Sequence, residues 1–162
     1  MENSALIDNA VNFDWNFLSY PIHTVSAKPK QTSKDFAILL IHGFGASTDH
    51  WRFNIPILSN KYEVHAMDLL GFGKSPKPQD VEYSGSLWKD QVVAYVRERI
   101  QKPTIVVGNS LGGYAALAAG SELNELNAGV ILLNAAGYFS EEKTIKKNML
   151  QTSIETVAGI FL

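Results

Sequence analysis

Ser110 is the residue whose surroundings point most directly to chemistry. It lies in Gly108-Asn109-Ser110-Leu111-Gly112-Gly113, between an apolar run, Thr104–Val107, and an Ala-rich stretch, Leu111–Leu123. A serine hydroxyl serves as a nucleophile when a sharp strand-to-helix turn presents it in strained backbone geometry. Gly-x-Ser-x-Gly alone is a weak signal, but its place between a strand and a helix is the one such a turn requires. Gly108 and Gly112 lack a Cβ, so strand and helix can approach closely around Ser110. The helix that starts at Leu111 favours negative charge developing at its N-terminus. The plainer alternative is a glycine-rich turn without chemistry.

A second group, His42-Gly43-Phe44-Gly45, directly follows the apolar run Phe36–Ile41. Attack of a serine on an acyl carbon leaves negative charge on the carbonyl oxygen, and preorganised backbone N–H groups stabilise it. One donor is expected from Leu111, the residue after the nucleophile, and the other from Phe44 in this earlier loop. Gly43 and Gly45 let the backbone turn its N–H groups inward. Alone, the segment would also suit an ordinary strand-ending turn.

Asp68-Leu69-Leu70-Gly71-Phe72-Gly73-Lys74-Ser75 ends like a phosphate-binding loop. That motif needs a glycine five residues before Gly73, where this chain has Asp68, and Pro76 opposes the helix that should follow. Nucleotide binding is rejected. Asp68 is expected instead to tie down its own loop by accepting from nearby backbone N–H groups. His23, His50 and His65 have no metal-ligand spacing and read as structural or surface residues. No metal and no cofactor is expected. Trp51, Trp88 and Phe53 read as packing residues.

These groups need elements to position them. Asn12–Leu18 and Ile22–Ser26 read as short antiparallel edge strands. Phe36–Ile41 is a continuous apolar run, as for a strand buried on both faces. Thr48–Ser59 reads as a helix that Pro56 makes irregular in its second half. Tyr62–Met67 is a strand, Ser86–Ile100 a helix, Thr104–Val107 a strand, Leu111–Leu123 a helix and Ala128–Leu133 a strand. Strands alternating with helices predict an α/β fold with a mostly parallel central sheet and helices on both faces. Phe36–Ile41, Tyr62–Met67, Thr104–Val107 and Ala128–Leu133 are expected as parallel neighbours in one sheet. From Ser140 the pattern changes. Ile145, Met149, Ile154, Val157 and Ile160 are spaced for an amphipathic helix or two, and the apolar ending Gly-Ile-Phe-Leu reads as an incomplete chain.

Composition removes other classes. The 162 residues carry 14 basic and 16 acidic side chains, a net charge of −2, so no basic field exists to hold a nucleic acid. No apolar run approaches the roughly 20 residues of a spanning helix, so no transmembrane segment is expected. Met-Glu-Asn-Ser lacks the start of a signal peptide, and the chain is read as cytoplasmic. The absence of cysteine excludes disulfides, thiolate metal sites and a cysteine nucleophile.

Taken in order, His-Gly-Phe-Gly, Asp-Leu-Leu-Gly-Phe-Gly-Lys-Ser and Gly-Asn-Ser-Leu-Gly-Gly resemble the serine-nucleophile branch of the α/β-hydrolase superfamily. The resemblance covers roughly Phe36 to Tyr138. Asp68–Pro78, Gly108–Tyr114 and Leu132–Gly137 look closest to the pheophytinase-like hydrolases of cyanobacteria and chloroplasts. Asn109 before the serine is also similar to the carbon–carbon bond hydrolases that cleave ring-fission products. Relatives with an aspartate nucleophile are disfavoured, because position 110 is serine.

The resemblance implies a Ser–Asp–His triad in that chain order, and a strand order that puts Phe36–Ile41 next to both Tyr62–Met67 and Thr104–Val107, without which His42–Gly45 could not meet Ser110. Ser110 would be the nucleophile and Phe44 and Leu111 the oxyanion donors. His42, Gly43, Gly45, Gly108, Asn109 and Gly112 would build the supporting loops. Where some relatives carry the acid, this chain has Asn134. No histidine follows Ser110, and His42 is a poor substitute base. Residues 1–139 therefore read as a partial α/β-hydrolase core and 140–162 as the start of a truncated lid, with a C-terminal half missing. The expected activity is hydrolysis of a small-molecule substrate, an apolar ester or similar acyl compound. The alternatives are an inactive remnant or binding module of the same fold, or a carbon–carbon bond hydrolase.

Overall fold

The computed structural model describes residues 10–29 and 35–136. Their strands form one six-stranded sheet of order β1-β2-β4-β3-β5-β6. β1 (Ala10–Phe17) and β2 (Tyr20–Ala27) make an antiparallel hairpin. Its two-residue turn places Leu18 and Ser19 at φ 49° and 69°, the handedness that matches strand twist. β2 then pairs antiparallel with β4 (Glu63–Met67), so of the two hairpin strands β1 alone lies at an edge. Ile22–Ser26 therefore runs inside the sheet, against the expectation of an edge. Its polar residues His23 and Thr24 are buried; Thr24 Oγ1 donates to Phe13 O, and the His23 backbone N–H donates to Ser75 Oγ.

β3 (Ala37–Ile41) is the sheet's centre and all five residues are buried. It runs parallel to β4 and to β5 (Thr104–Asn109), with Ile41 opposite Met67 and Gly108. That register puts His42, Asp68 and the Asn109-Ser110 turn at the C-terminal ends of three adjacent strands. Leu39 and Ile41 face a core shared with α2 (Gly85–Tyr95) and α3 (Leu111–Gly120); Ile38 and Leu40 face a second core with Trp51 and Ile55. Burying each such side chain contributes about 1.5–3 kcal/mol.

The stretch expected as a helix over Thr48–Ser59 is two pieces, a 3₁₀ turn at Thr48–Trp51 and α1 (Asn54–Leu58). Pro56 lies inside α1, so the break precedes it. Proline tolerates the first helical turn, where its missing N–H has no partner to lose. Trp51 and Trp88 pack as expected, but Phe53 is exposed. Its ring lies under the Arg52 guanidinium, 4.4 Å from the ring centre. α2 ends in a wider turn over Val96–Ile100, closed by Gln101 at φ 58°.

β6 (Asn127–Leu133) pairs parallel with β5 and, among the described residues, with nothing else. Its Ile131, Leu132 and Leu133 are exposed, although Val130–Leu133 is as continuously apolar as β3. No helix of the described residues is long and apolar enough to cross a membrane. The lid expected from Ser140 lies outside the described residues.

Candidate active site

β5 passes into α3 through Ser110, whose φ of 50° and ψ of −116° lie outside the regions an L residue occupies without cost. Its surroundings hold the turn. The Ser110 N–H donates to Leu133 O at 3.0 Å, and its carbonyl accepts from the N–H groups of Gly113 and Ala136, each at 2.9 Å. A Cβ on Gly108 would collide with the backbone of Gly112, and one on Gly112 with the carbonyls of Ile41 and His42. The two glycines thus allow the close approach that their spacing suggested.

The His42–Gly45 loop meets this turn. A Cβ on Gly43 would lie 2.9 Å from Asn109 Oδ1 and 3.2 Å from Ser110 Cβ, so any larger residue would have to displace the Asn109 side chain. Gly45 has a φ of 69°, a conformation that glycine adopts at no steric cost. Phe44 is exposed, while Leu111 is buried in the first turn of α3. The N–H groups of Leu111 and Gly112, which open that turn, have no acceptor within the helix, and the helix dipole favours an anion beside them.

His42 is completely buried. Nδ1 lies 2.7 Å from Gly43 O and Nε2 lies 3.0 Å from the Leu69 nitrogen. A carbonyl only accepts and an amide N–H only donates, so Nδ1 carries the proton and Nε2 the lone pair. Burial pushes the His42 pKa down, outweighing the Gly43 bond and the Asp68 charge that act to raise it. While these bonds hold, neither nitrogen can take a proton from Ser110.

Asp68 is also completely buried. Its Oδ1 accepts from Thr48 N–H at 2.6 Å and its Oδ2 from Lys74 N–H at 2.7 Å. Its backbone carbonyl accepts from Ser75 Oγ at 2.8 Å and Gln91 Nε2 at 3.2 Å. The residues that imitate a phosphate loop therefore close around this carboxylate. Gly73, at φ 54°, leaves it room that a Cβ would fill. The sequence suggested a tie within one loop; the structure adds a bond to the loop that carries Phe44.

The other histidines lie elsewhere. His65 bridges Tyr95 Oη and Glu63 Oε1, each at 3.0 Å, and His50 is exposed against Trp51. His23 is buried in β2, where burial lowers its pKa against the opposing charge of Asp68. No group of three or more potential metal ligands occurs among the described residues.

Sequence reasoning missed three contributors. Phe72 joins Phe44 and Trp88 in an aromatic row, at centroid distances of 5.3 and 5.8 Å. Gln91, completely buried, accepts from Leu70 N–H at 2.9 Å. Its polarity beside Val92 and Val93 was the available signal. Ala136 had no chemical signal at all, since it acts through its backbone.

A family model described as alpha/beta hydrolase fold matches residues 37–158. The chain is 35% identical over 125 residues to a 2-hydroxy-6-oxo-6-(2'-aminophenyl)hexa-2,4-dienoic acid hydrolase of Metapseudomonas resinovorans, covering 72% of this chain and 41% of that protein. It is 32% identical over 133 residues to the chloroplastic pheophytinase of Arabidopsis thaliana, covering 64% of this chain and 28% of that protein. Among solved structures, a bacterial membrane phospholipase A described as a virulence factor superposes with a TM-score of 0.74 at 26% identity, over 91% of this chain and 46% of that one. The chain thus spans less than half the length of each.

Proposed function

The chain belongs to the α/β-hydrolase fold family, and from that premise we propose that it carries the nucleophile and oxyanion site of a serine hydrolase acting on an ester or similar acyl bond. The observation that supports this most is the strained Ser110 turn, locked at the C-terminal edge of the sheet with the Gly43 loop packed against it. Ligands of open α/β sheets bind at that edge.

In this reading Ser110 Oγ adds to the acyl carbon, and the resulting oxyanion accepts from the N–H groups of Phe44 and Leu111. Collapse expels the alcohol or equivalent leaving group and leaves an acyl-serine, which water then hydrolyses. Both steps need a base. His42 is committed to Gly43 and Leu69, and no histidine follows Ser110. The base and its orienting acid are therefore assigned to polypeptide outside residues 1–162. The aromatic row of Phe44, Phe72 and Trp88 suits an apolar small-molecule substrate.

A second reading keeps the same serine and oxyanion donors but makes the scissile bond carbon–carbon. Asn109 beside the nucleophile and the likeness to the dienoic acid hydrolase favour it.

The test is covalent labelling of the intact protein with an organophosphonate probe, located by mass spectrometry. One adduct on Ser110 is expected. Ser110→Ala should abolish it and cut turnover steeply; removing the nucleophile of a serine protease costs on the order of 10⁶-fold. Full labelling of Ser110→Ala would sink the assignment. Turnover of a p-nitrophenyl ester against that of a dienoic ring-fission acid separates the two readings.

A further inference from the structure

We propose that His42 is a positioning residue whose neutral imidazole fixes the Gly43–Phe44 peptide plane and so aims the Phe44 N–H at the oxyanion forming over Ser110. This rests on the reading of Phe44 as an oxyanion donor.

A peptide unit is planar and trans, so its C=O and N–H point in opposite directions. The carbonyl of Gly43 and the N–H of Phe44 belong to one such unit. His42 Nδ1–H binds that carbonyl at 2.7 Å and Ala46 N–H binds it at 3.2 Å. Holding the oxygen from two donors fixes the opposite N–H without touching it. Oxyanion donors contribute most when their direction is set before the reaction begins, because no reorganisation is then needed.

The ring that does the holding is itself held. Its Nε2 accepts from Leu69 N–H at 3.0 Å, in the loop 27 residues away. Its face meets Phe72 edge-on at 5.7 Å. Asp68, next to Leu69, binds Thr48 N–H at 2.6 Å at the far end of the Phe44 loop. The loop is thus anchored at both ends to the segment that follows β4. This account needs one tautomer, with the proton on Nδ1. It also explains a completely buried histidine that has no route to acting as a base.

Two substitutions separate the two bonds. In His42→Asn the amide Nδ2 falls near the position of Nδ1 and keeps a donor to Gly43 O, but nothing reaches Leu69. In His42→Gln the amide oxygen falls near Nε2 and keeps an acceptor for Leu69 N–H, but the donor to Gly43 O is lost. The readouts are the ¹⁵N spectrum of the His42 ring in the wild-type chain, the Phe44 amide resonance, and the rate of Ser110 phosphonylation in the intact protein. The expected spectrum shows a protonated Nδ1 and a bare Nε2. His42→Asn should react within about 3-fold of wild type, and His42→Gln about 10-fold or more slower with a displaced Phe44 amide, a part of the full loss of an oxyanion donor. A proton on Nε2, or a folded His42→Gln that reacts at the wild-type rate, would overturn the proposal. If either variant fails to fold, the wild-type ring spectrum still decides it. Wild-type protein that never labels at Ser110 would sink the serine reading, and the ring spectrum would still report whether the loop is held.

Discussion

Glu63 and Asp68 sit at opposite ends of β4, one at the base of the sheet and one just past its end, at the edge that carries Ser110. Both are acids in contact with the core, yet their partners differ in kind. Asp68 has no exposed surface, and its side-chain partners are two backbone N–H groups, of Thr48 and Lys74. Glu63 is 20% exposed and faces His65 Nε2 at 3.0 Å and Lys102 Nζ at 2.6 Å. Backbone donors cannot swing into water, so Asp68 joins two loops in one geometry. Side-chain donors can be titrated, screened or released. The end of β4 that serves the candidate site is therefore tied rigidly, while the base answers to solution conditions.

The largest expected effect breaks the rigid tie. Asp68→Ala leaves the buried Thr48 N–H and the half-buried Lys74 N–H without their acceptor and opens a small cavity. A cost of about 3–5 kcal/mol is expected. Asp68→Asn keeps one acceptor oxygen but turns an NH₂ toward the other N–H, for about 1–3 kcal/mol. Urea unfolding gives both values, and amide exchange should quicken first at Thr48 and Lys74. If Asp68→Ala cost no more than Glu63→Ala, the contrast between the two ends of β4 would be wrong.

How much of this was legible in the sequence follows from how local each cause is. The buried centre of the sheet was, because Ala37–Ile41 is apolar without interruption and no solvated strand reads that way. The meeting of His42–Gly45 with Ser110 followed from the strand order that the resemblance implies, and the register of Ile41 with Gly108 delivers it. The interior place of β2 was not legible. Its residues alternate too weakly, and what buries His23 and Thr24 is a long-range pairing with β4. The tautomer of His42 was equally hidden, since one of its two partners lies 27 residues away. Phe53 misled, because an aromatic side chain can also be covered by a neighbouring cation at the surface. The roles of Leu133 O and Ala136 N–H in holding Ser110 are backbone roles, which side-chain chemistry does not announce.

A smaller effect sharpens the soft end. The hydrogen bond from His65, with help from Lys102 and against the cost of burial, lowers the Glu63 pKa from 4.5 to about 2. A carboxylate whose folded pKa is depressed stabilises the fold above its unfolded pKa and loses that contribution as pH falls through the folded value. Glu63→Gln should therefore cost about 1–3 kcal/mol at neutral pH, a range already discounted for partial exposure. The gap between wild type and variant should stay constant above about pH 5 and close as pH approaches 2. Thermal unfolding across that range checks it. A gap that persists unchanged at pH 2 would mean that packing, not charge, is what Glu63 supplies.

The smallest effect isolates screening. Lys102 is 26% exposed and Glu63 20%, with 2.6 Å between Nζ and Oε2. A pair at such exposure gains modest Coulomb energy, loses side-chain entropy and is weakened by salt. Lys102→Met should lower stability by about 0.5–1 kcal/mol at low ionic strength, with the alkyl stem's packing kept. Raising salt to about 1 M shrinks the Debye length to about 3 Å and should remove much of that difference. The cost of Asp68→Asn should move much less over the same range, because the carboxyl is completely buried and its partners are backbone dipoles rather than charged side chains. Measuring both variants at low and high salt by urea unfolding therefore reads the two ends of β4 against each other. An Asp68→Asn penalty that falls with salt as the Lys102→Met penalty does would show that water and ions reach Asp68, and that the loop carrying Phe44 is held less firmly than its geometry implies.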